Sequence, residues 1–145
     1  MDDLVQFLRA RLDEDEQTAR AAGGRWMVLP VSGWVHTAPA PSDEWQHPGT
    51  DHHVASVPLD SDRAHIVRHD PARILAEVAW RRLTVDNYAT LLQTFGHVDW
   101  AAGKNDPVLS GTLAARETLH SMLRGMATAS YADHPDYRTE WQPSC

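Results

Sequence analysis

Two Asp-Pro pairs, Asp70-Pro71 and Asp106-Pro107, constrain the fold of this chain more than any other feature of its sequence. An aspartate before a helix accepts the unpaired backbone N–H groups of the first turn. Proline suits the first helical position because its missing N–H is not needed there. The pairs therefore predict long helices that begin at residues 71 and 107. We expect the first to run to about residue 95, before Gly96, and the second to about residue 129.

A third helix is predicted over residues 3–22. Its apolar residues recur at the spacing of one helix face: Leu4, Val5, Leu8, Leu12 and Ala19. Asp2 or Asp3 can cap this helix, and Gly23-Gly24 can end it.

The stretch between the helix over 3–22 and the helix that begins at residue 71 has the composition of short strands and loops. We predict strands over 25–29, 33–37 and 53–59, a proline-rich loop over 39–51, and a helical turn over 62–69. The expected fold is α+β and mostly helical: an N-terminal helix, a small antiparallel sheet or hairpin, two long helices and a short irregular tail. We expect one domain over residues 1–145.

Composition excludes several classes of function. The formal charge of −7 argues against nucleic-acid binding, which needs a basic surface. Cys145 is the one cysteine, so neither an intrachain disulfide nor a cysteine-based zinc site can form. The apolar runs are too short to cross a membrane, and the acidic start is unlike a signal peptide. We therefore expect a cytoplasmic protein.

Each long helix carries charge on its apolar face. Arg81 falls within the arc of the helix that begins at residue 71, and Arg82 falls near its edge. Asp15 lies within the arc of the helix over 3–22, and Arg116 and His120 lie within the arc of the helix that begins at residue 107. Three interpretations stay open, since a buried charge is costly unless it is paired. The side chains extend to the rim of each face, or Asp15 pairs with Arg81, or Arg81, Arg82 and Arg116 line an anion-binding cleft.

The histidines give a candidate divalent-metal site. His65 and His69 stand four residues apart, a spacing that brings metal ligands together on a helix, and Asp70 and His134 are further candidate ligands. The motif is incomplete, because residue 66 is Ile where a zinc protease has glutamate. Alternatively, Asp70 is a helix cap and the histidines lie at the surface. No motif for a catalytic nucleophile or for phosphate binding is present, so we expect no cofactor beyond such a metal.

Six tryptophans are many for 145 residues. We expect five of them to cover the core: Trp26, Trp34, Trp80, Trp100 and Trp141. Trp45, in the proline-rich loop, is expected to be exposed, and an exposed tryptophan is a common anchor for a protein partner.

Three stretches together resemble a family of small actinobacterial and actinophage proteins classed as a domain of unknown function. They are residues 4–16 (LVQFLRARLDEDE), 65–78 (HIVRHDPARILAEV) and 131–137 (YADHPDY). The resemblance implies no activity. It implies that six residues belong to family motifs: His69, Asp70, Arg73, Asp133, His134 and Tyr137. It also implies, for some relatives, metal-binding Cys and His residues between the long helix and the tail, where this chain has no cysteine.

Two functions follow as hypotheses. The first is a binding or regulatory protein without catalytic activity, cytoplasmic or phage-encoded, that contacts a protein partner or a second copy of itself. The alternative is a metal-dependent hydrolase of a nucleotide or phosphoester. It would use His65, His69, Asp70 and His134, with Arg81 or Arg82 on the anion.

Overall fold

Helices dominate the computed structural model, which describes residues 2–29, 32–37, 53–99 and 106–143. In chain order the elements are α1 (Asp3–Ala21), β1 (Trp26–Val28), β2 (Val35–Thr37), β3 (His53–Ala55), α2 (Asp60–Arg68), α3 (Pro71–Phe95), α4 (Pro107–Tyr131) and a 3₁₀ turn, η1 (Thr139–Trp141). This order confirms the α+β, mostly helical fold. The predicted loop over 39–51, with Trp45, lies outside the described residues, as do Trp100 and Cys145.

Aspartate side chains cap the long helices as the sequence predicts. The Asp2 carboxylate accepts the backbone N–H groups of Leu4, at 2.9 Å, and Val5, at 3.3 Å. Asp106 accepts those of Val108, at 2.8 Å, and Leu109, at 3.4 Å. These bonds satisfy donors that a helix start would otherwise leave unpaired.

The sheet has three antiparallel strands in the order β1-β2-β3. Val28 pairs with Val35, and Trp26 with Thr37. The strands are shorter than predicted, at three residues each. Between α1 and β1, Gly23 has a backbone φ of 94°, in the left-handed region that glycine adopts without a steric penalty, and this conformation ends the helix.

The chain divides into two compact units. Unit 1 comprises Met1–Asp13 and Ala79–Cys145, and unit 2 comprises Glu14–Val78. The buried apolar residues of unit 1 are Leu4, Val5, Phe7, Leu8, Leu12, Val85, Tyr88, Leu123, Ala127, Tyr131 and Trp141. Among the described residues of unit 2 they are Ala19, Val35, Pro71 and Val78. All five residues of the predicted α1 arc are buried, which confirms the periodicity, and the one-domain organisation stays a prediction.

Within the described ranges, no helix combines the length and the apolar composition that a bilayer crossing requires.

Candidate functional site

His65 and His69 lie side by side at the end of α2. Both are exposed, and their ring centroids are 4.5 Å apart, as the four-residue spacing predicts. Asp70, the next residue, is instead buried, with 9% of its surface exposed. Its carboxylate accepts the Arg73 backbone N–H at 2.8 Å, so Asp70 caps α3.

His134 lies in the turn that follows α4, with hydrogen-bond donors at both ring nitrogens. Nδ1 accepts the Asp136 backbone N–H at 3.1 Å. The Arg11 guanidinium lies 2.9 Å from Nδ1 and also contacts Nε2. A metal needs an unprotonated ring nitrogen with a free lone pair, and these contacts compete for it.

His134 belongs to unit 1, whereas His65, His69 and Asp70 belong to unit 2. In neither unit do the described residues bring three or more His, Cys, Asp or Glu side chains into an arrangement that could hold a metal. The divalent-metal site therefore stays a prediction that rests on the His65–His69 pair.

Aromatic rings around Phe7 hold the turn 131–137 and η1 against α1. The centroids of Tyr131, His134, Tyr137 and Trp141 lie 6.1, 5.8, 6.4 and 4.8 Å from that of Phe7. We call these five residues the tail cluster. Arg11 lies over the Phe7 ring at 5.7 Å. The hydroxyl of Tyr137 shares a 2.8 Å hydrogen bond with Thr128 of α4.

Arg124 of α4 fixes the end of the tail. Its guanidinium donates to the backbone carbonyls of Trp141, at 3.1 Å, Glu140, at 3.3 Å, and Gln142. The YADHPDY motif thus lies where the tail packs against α1 and α4.

The three arginines of the hypothetical anion cleft are all half-buried. Arg82 forms an ion pair with Asp13 at 2.5 Å. Arg116 hydrogen-bonds Tyr88. Arg81 belongs to unit 1 and Asp15 to unit 2. Their pairing, like the anion cleft, stays a prediction.

Buried Tyr88 joins three helices of unit 1 through a polar network that sequence reasoning missed. Its side chain is 2% exposed, its hydroxyl donates to Asp2 Oδ2 at 3.4 Å, and its ring stacks on His120 at 5.6 Å. Burial and then the Asp2 carboxylate raise the pKa of Tyr88, and Arg116 offsets part of this rise. The sequence signal for this network is the position of Tyr88 on the apolar arc of α3, because a buried hydroxyl needs a hydrogen-bond partner.

A cleft of about 250 Å³ opens between α1 and α3 of unit 1. Three apolar residues, Val5, Ala89 and Leu92, and three polar residues, Asp2, Arg9 and Gln93, line the cleft. Arg9 at its edge forms an ion pair with Asp86 at 2.6 Å.

Two tryptophans are more exposed than predicted. Trp80 on α3 is 57% exposed, and its neighbour one turn on, Leu83, is 59% exposed. Trp34 is 48% exposed and packs against His36 and His53 of the sheet, with ring centroids 6.3 and 5.3 Å away. The prediction that Trp34 and Trp80 cover the core is therefore wrong, whereas Trp141, 8% exposed, is buried.

A family model described as "Family of unknown function (DUF6221)" matches residues 1–143 of the chain. No curated protein and no solved structure matches the chain.

Proposed function

The chain belongs to the DUF6221 family of unknown function, and from the contacts of its own residues we propose that it is a protein-binding, regulatory protein without catalytic activity. The observation that carries this proposal is the exposed pair Trp80 and Leu83 on α3. Adjacent large apolar side chains at a surface are typical of contact sites, and tryptophan is among the commonest anchors of protein interfaces.

Four polar residues of the motifs, Asp70, Arg73, His134 and Tyr137, support the same proposal, because their side chains are engaged in the fold. Asp70 caps α3, and Arg73 pairs with Glu77 at 2.9 Å. His134 contacts Arg11, and Tyr137 contacts Thr128. A catalytic group must instead be free to reach a substrate atom.

We place the protein in the cytoplasm of an actinobacterium or of its phage-infected host. The proposed origin rests on the resemblance of the three motifs. The charge of −7 and the single cysteine support the proposed location, because small secreted domains commonly depend on disulfides.

A hydrolysis assay separates this function from the alternative, a metal-dependent hydrolase. The purified protein is incubated with bis(p-nitrophenyl) phosphate and Mg²⁺, Mn²⁺ or Zn²⁺, and melting is followed with each ion. We expect no hydrolysis above buffer and no rise in melting temperature. Metal-dependent hydrolysis that His65→Ala or His134→Ala abolishes, and that the exposed control His97→Ala retains, would establish the hydrolase instead.

A photocrosslinking experiment tests binding directly. Benzoylphenylalanine replaces Leu83 in one variant and Val108, 72% exposed on α4, in a matched control. On irradiation of expressing cells we expect protein adducts, with the same chain or another, from position 83 above those from position 108. Equal adduct yields at the two positions would contradict the proposal that α3 around Leu83 is a contact surface.

A further inference from the structure

Three residues that can bind a soft metal form one row across the sheet of unit 2. Met27 of β1 pairs with His36 of β2, and His36 pairs with His53 of β3. Residues directly opposite one another in an antiparallel sheet project from the same face. We call these three residues the sheet row. It offers two imidazoles and a thioether, and so differs from the clusters of His, Cys, Asp or Glu considered above for the described residues.

An irregularity in the pairing of β2 with β3 brings the two imidazoles together. Val35 pairs with Ala55. A regular antiparallel ladder would then place Val54 opposite His36, and would turn His53 to the other face of the sheet. The register instead shifts after Val35, and His53 pairs with His36. Irregularities of this kind re-aim side chains and are common beside functional sites.

The separation of the two rings fits a three-coordinate metal. The ring centroids of His36 and His53 are 5.5 Å apart. A metal bound to one nitrogen of each ring at about 2.0 Å would lie about 3.2 Å from each centroid. With these lengths the N–metal–N angle is about 120°, which is the angle of a trigonal site with one further ligand. The same construction for His65 and His69, whose centroids are 4.5 Å apart, gives about 90°, as in square-planar or octahedral sites.

His36 has a ring nitrogen that needs a partner. Its Nε2 atom is buried and accepts or donates no hydrogen bond within the part of the chain that the structure describes. A buried polar atom without a partner is unfavourable, and a bound ion is one way to satisfy it.

His53 is oriented by a neighbouring hydroxyl. Its Nε2 atom lies 2.8 Å from Ser56 Oγ. With the serine as the acceptor, the proton is on Nε2 and the lone pair is on Nδ1. A hydrogen bond at one ring nitrogen sets in this way which nitrogen binds a metal, and it fixes the orientation of the ring.

We propose that Met27, His36 and His53 bind one copper(I) ion. The methionine thioether is a soft ligand that selects copper(I), and copper also accepts imidazole. Zinc at structural sites takes four ligands from Cys, His, Asp and Glu, and magnesium and manganese prefer oxygen ligands, so the sheet row suits these ions less well. The proposal goes beyond the protein-binding function and uses none of the residues that carry it.

Anaerobic titration of the full chain with tetrakis(acetonitrile)copper(I) tests the site. The titration uses a Cys145→Ser background, because a cysteine sulfur would compete for the same soft metal. We expect one equivalent of copper(I) to remain bound after desalting. Bicinchoninate at graded concentrations, as a coloured competitor, measures the affinity. Zinc chloride in place of copper(I) should leave no bound metal after the same desalting.

Trp34 provides a spectroscopic signal for binding at this row. Its ring centroid lies 6.3 Å from that of His36 and 5.3 Å from that of His53. Copper(I) bound between these imidazoles should therefore quench the indole fluorescence. Trp34→Phe should retain the copper(I) and lose most of the fluorescence change.

Conservative variants identify the ligands. Loss of an outer-shell partner commonly lowers metal affinity about 10–100-fold, so loss of a ligand should lower it at least about tenfold. We expect this decrease for Met27→Leu, which keeps an apolar side chain and removes the sulfur, and for His36→Gln and His53→Gln. Met122→Leu, at a half-exposed methionine of α4, and His65→Gln, at an exposed histidine of α2, are the matched controls and should leave the affinity unchanged. Circular dichroism without metal checks that each variant is folded.

Three results would overturn the proposal. They are a chain that retains no copper(I), an affinity for copper(I) that Met27→Leu leaves unchanged, and retention of zinc equal to that of copper(I). The second and third results would indicate a site of two imidazoles without the thioether. None of them bears on photocrosslinking at position 83, so this proposal and the protein-binding function are tested separately.

Discussion

Removal of the Asp70 side chain tests whether this motif residue serves the fold as the cap of α3. Asp70→Ala deletes the 2.8 Å bond to the Arg73 N–H. Loss of a helix cap costs about 1 kcal/mol and up to about 2 kcal/mol. The lost favourable interaction of the carboxylate with the helix dipole adds about 0.3–1 kcal/mol. Because the side chain is also buried, we expect a decrease of about 2 kcal/mol in the free energy of unfolding.

Two further variants isolate the cause. Asp70→Ser keeps a hydrogen-bond acceptor at the cap and loses the charge, so we expect a decrease of only about 0.5 kcal/mol. Asp106→Ala removes the exposed cap of α4, and about 1 kcal/mol should be lost. Urea unfolding followed by circular dichroism measures each as a shift of the midpoint at constant slope. The capping argument fails if Asp70→Ala lies within about 0.5 kcal/mol of wild type, or if Asp70→Ser costs as much as Asp70→Ala.

Three other perturbations have defined outcomes. Trp141→Ala removes a buried ring of the tail cluster and should cost about 3–5 kcal/mol in urea unfolding, whereas Met122→Ala on the surface of α4 should cost under about 1 kcal/mol. Gly33→Ala should cost about 1–3 kcal/mol, because φ is 68° and the new Cβ would lie 2.5 Å from Arg63 Nη1; a neutral result contradicts that backbone conformation. Folding raises the pKa of Tyr88, so its contribution to stability is complete below its ordinary value of 10.0 and is lost as the pH rises through the higher folded pKa. Wild type should therefore lose more stability above about pH 10 than Tyr88→Phe does, and parallel pH profiles would contradict the network.

Helix starts and helix faces follow from local sequence. Asp2, Asp70 and Asp106 each cap the helix that the sequence predicts, because a capping bond spans only two or three residues. The apolar arc of α1 is buried for a similarly local reason, since helical periodicity alone sets which residues share a face.

The site contacts depend on distant residues. The Arg11–His134 contact joins positions 123 apart, and no local spacing of residues indicates it. The exposure of Trp80 was predictable, because Trp80 and Leu83 lie on the side of α3 opposite its apolar arc. Residue type favours the core for tryptophan, but at position 80 the helical period decides the exposure.

The hydrogen bonds between Arg124 and the tail affect how readily proteases cleave this part of the chain. The guanidinium donates hydrogen bonds to three successive backbone carbonyls, those of Glu140, Trp141 and Gln142. Its planar geometry allows separate N–H groups to reach them. A lysine at position 124 keeps the charge and loses this geometry. The peptide bonds after Tyr137 and Arg138 should then become accessible to chymotrypsin and trypsin while the helices stay resistant. Arg124 thus controls whether this end of the chain is a stable part of the surface or a substrate for degradation.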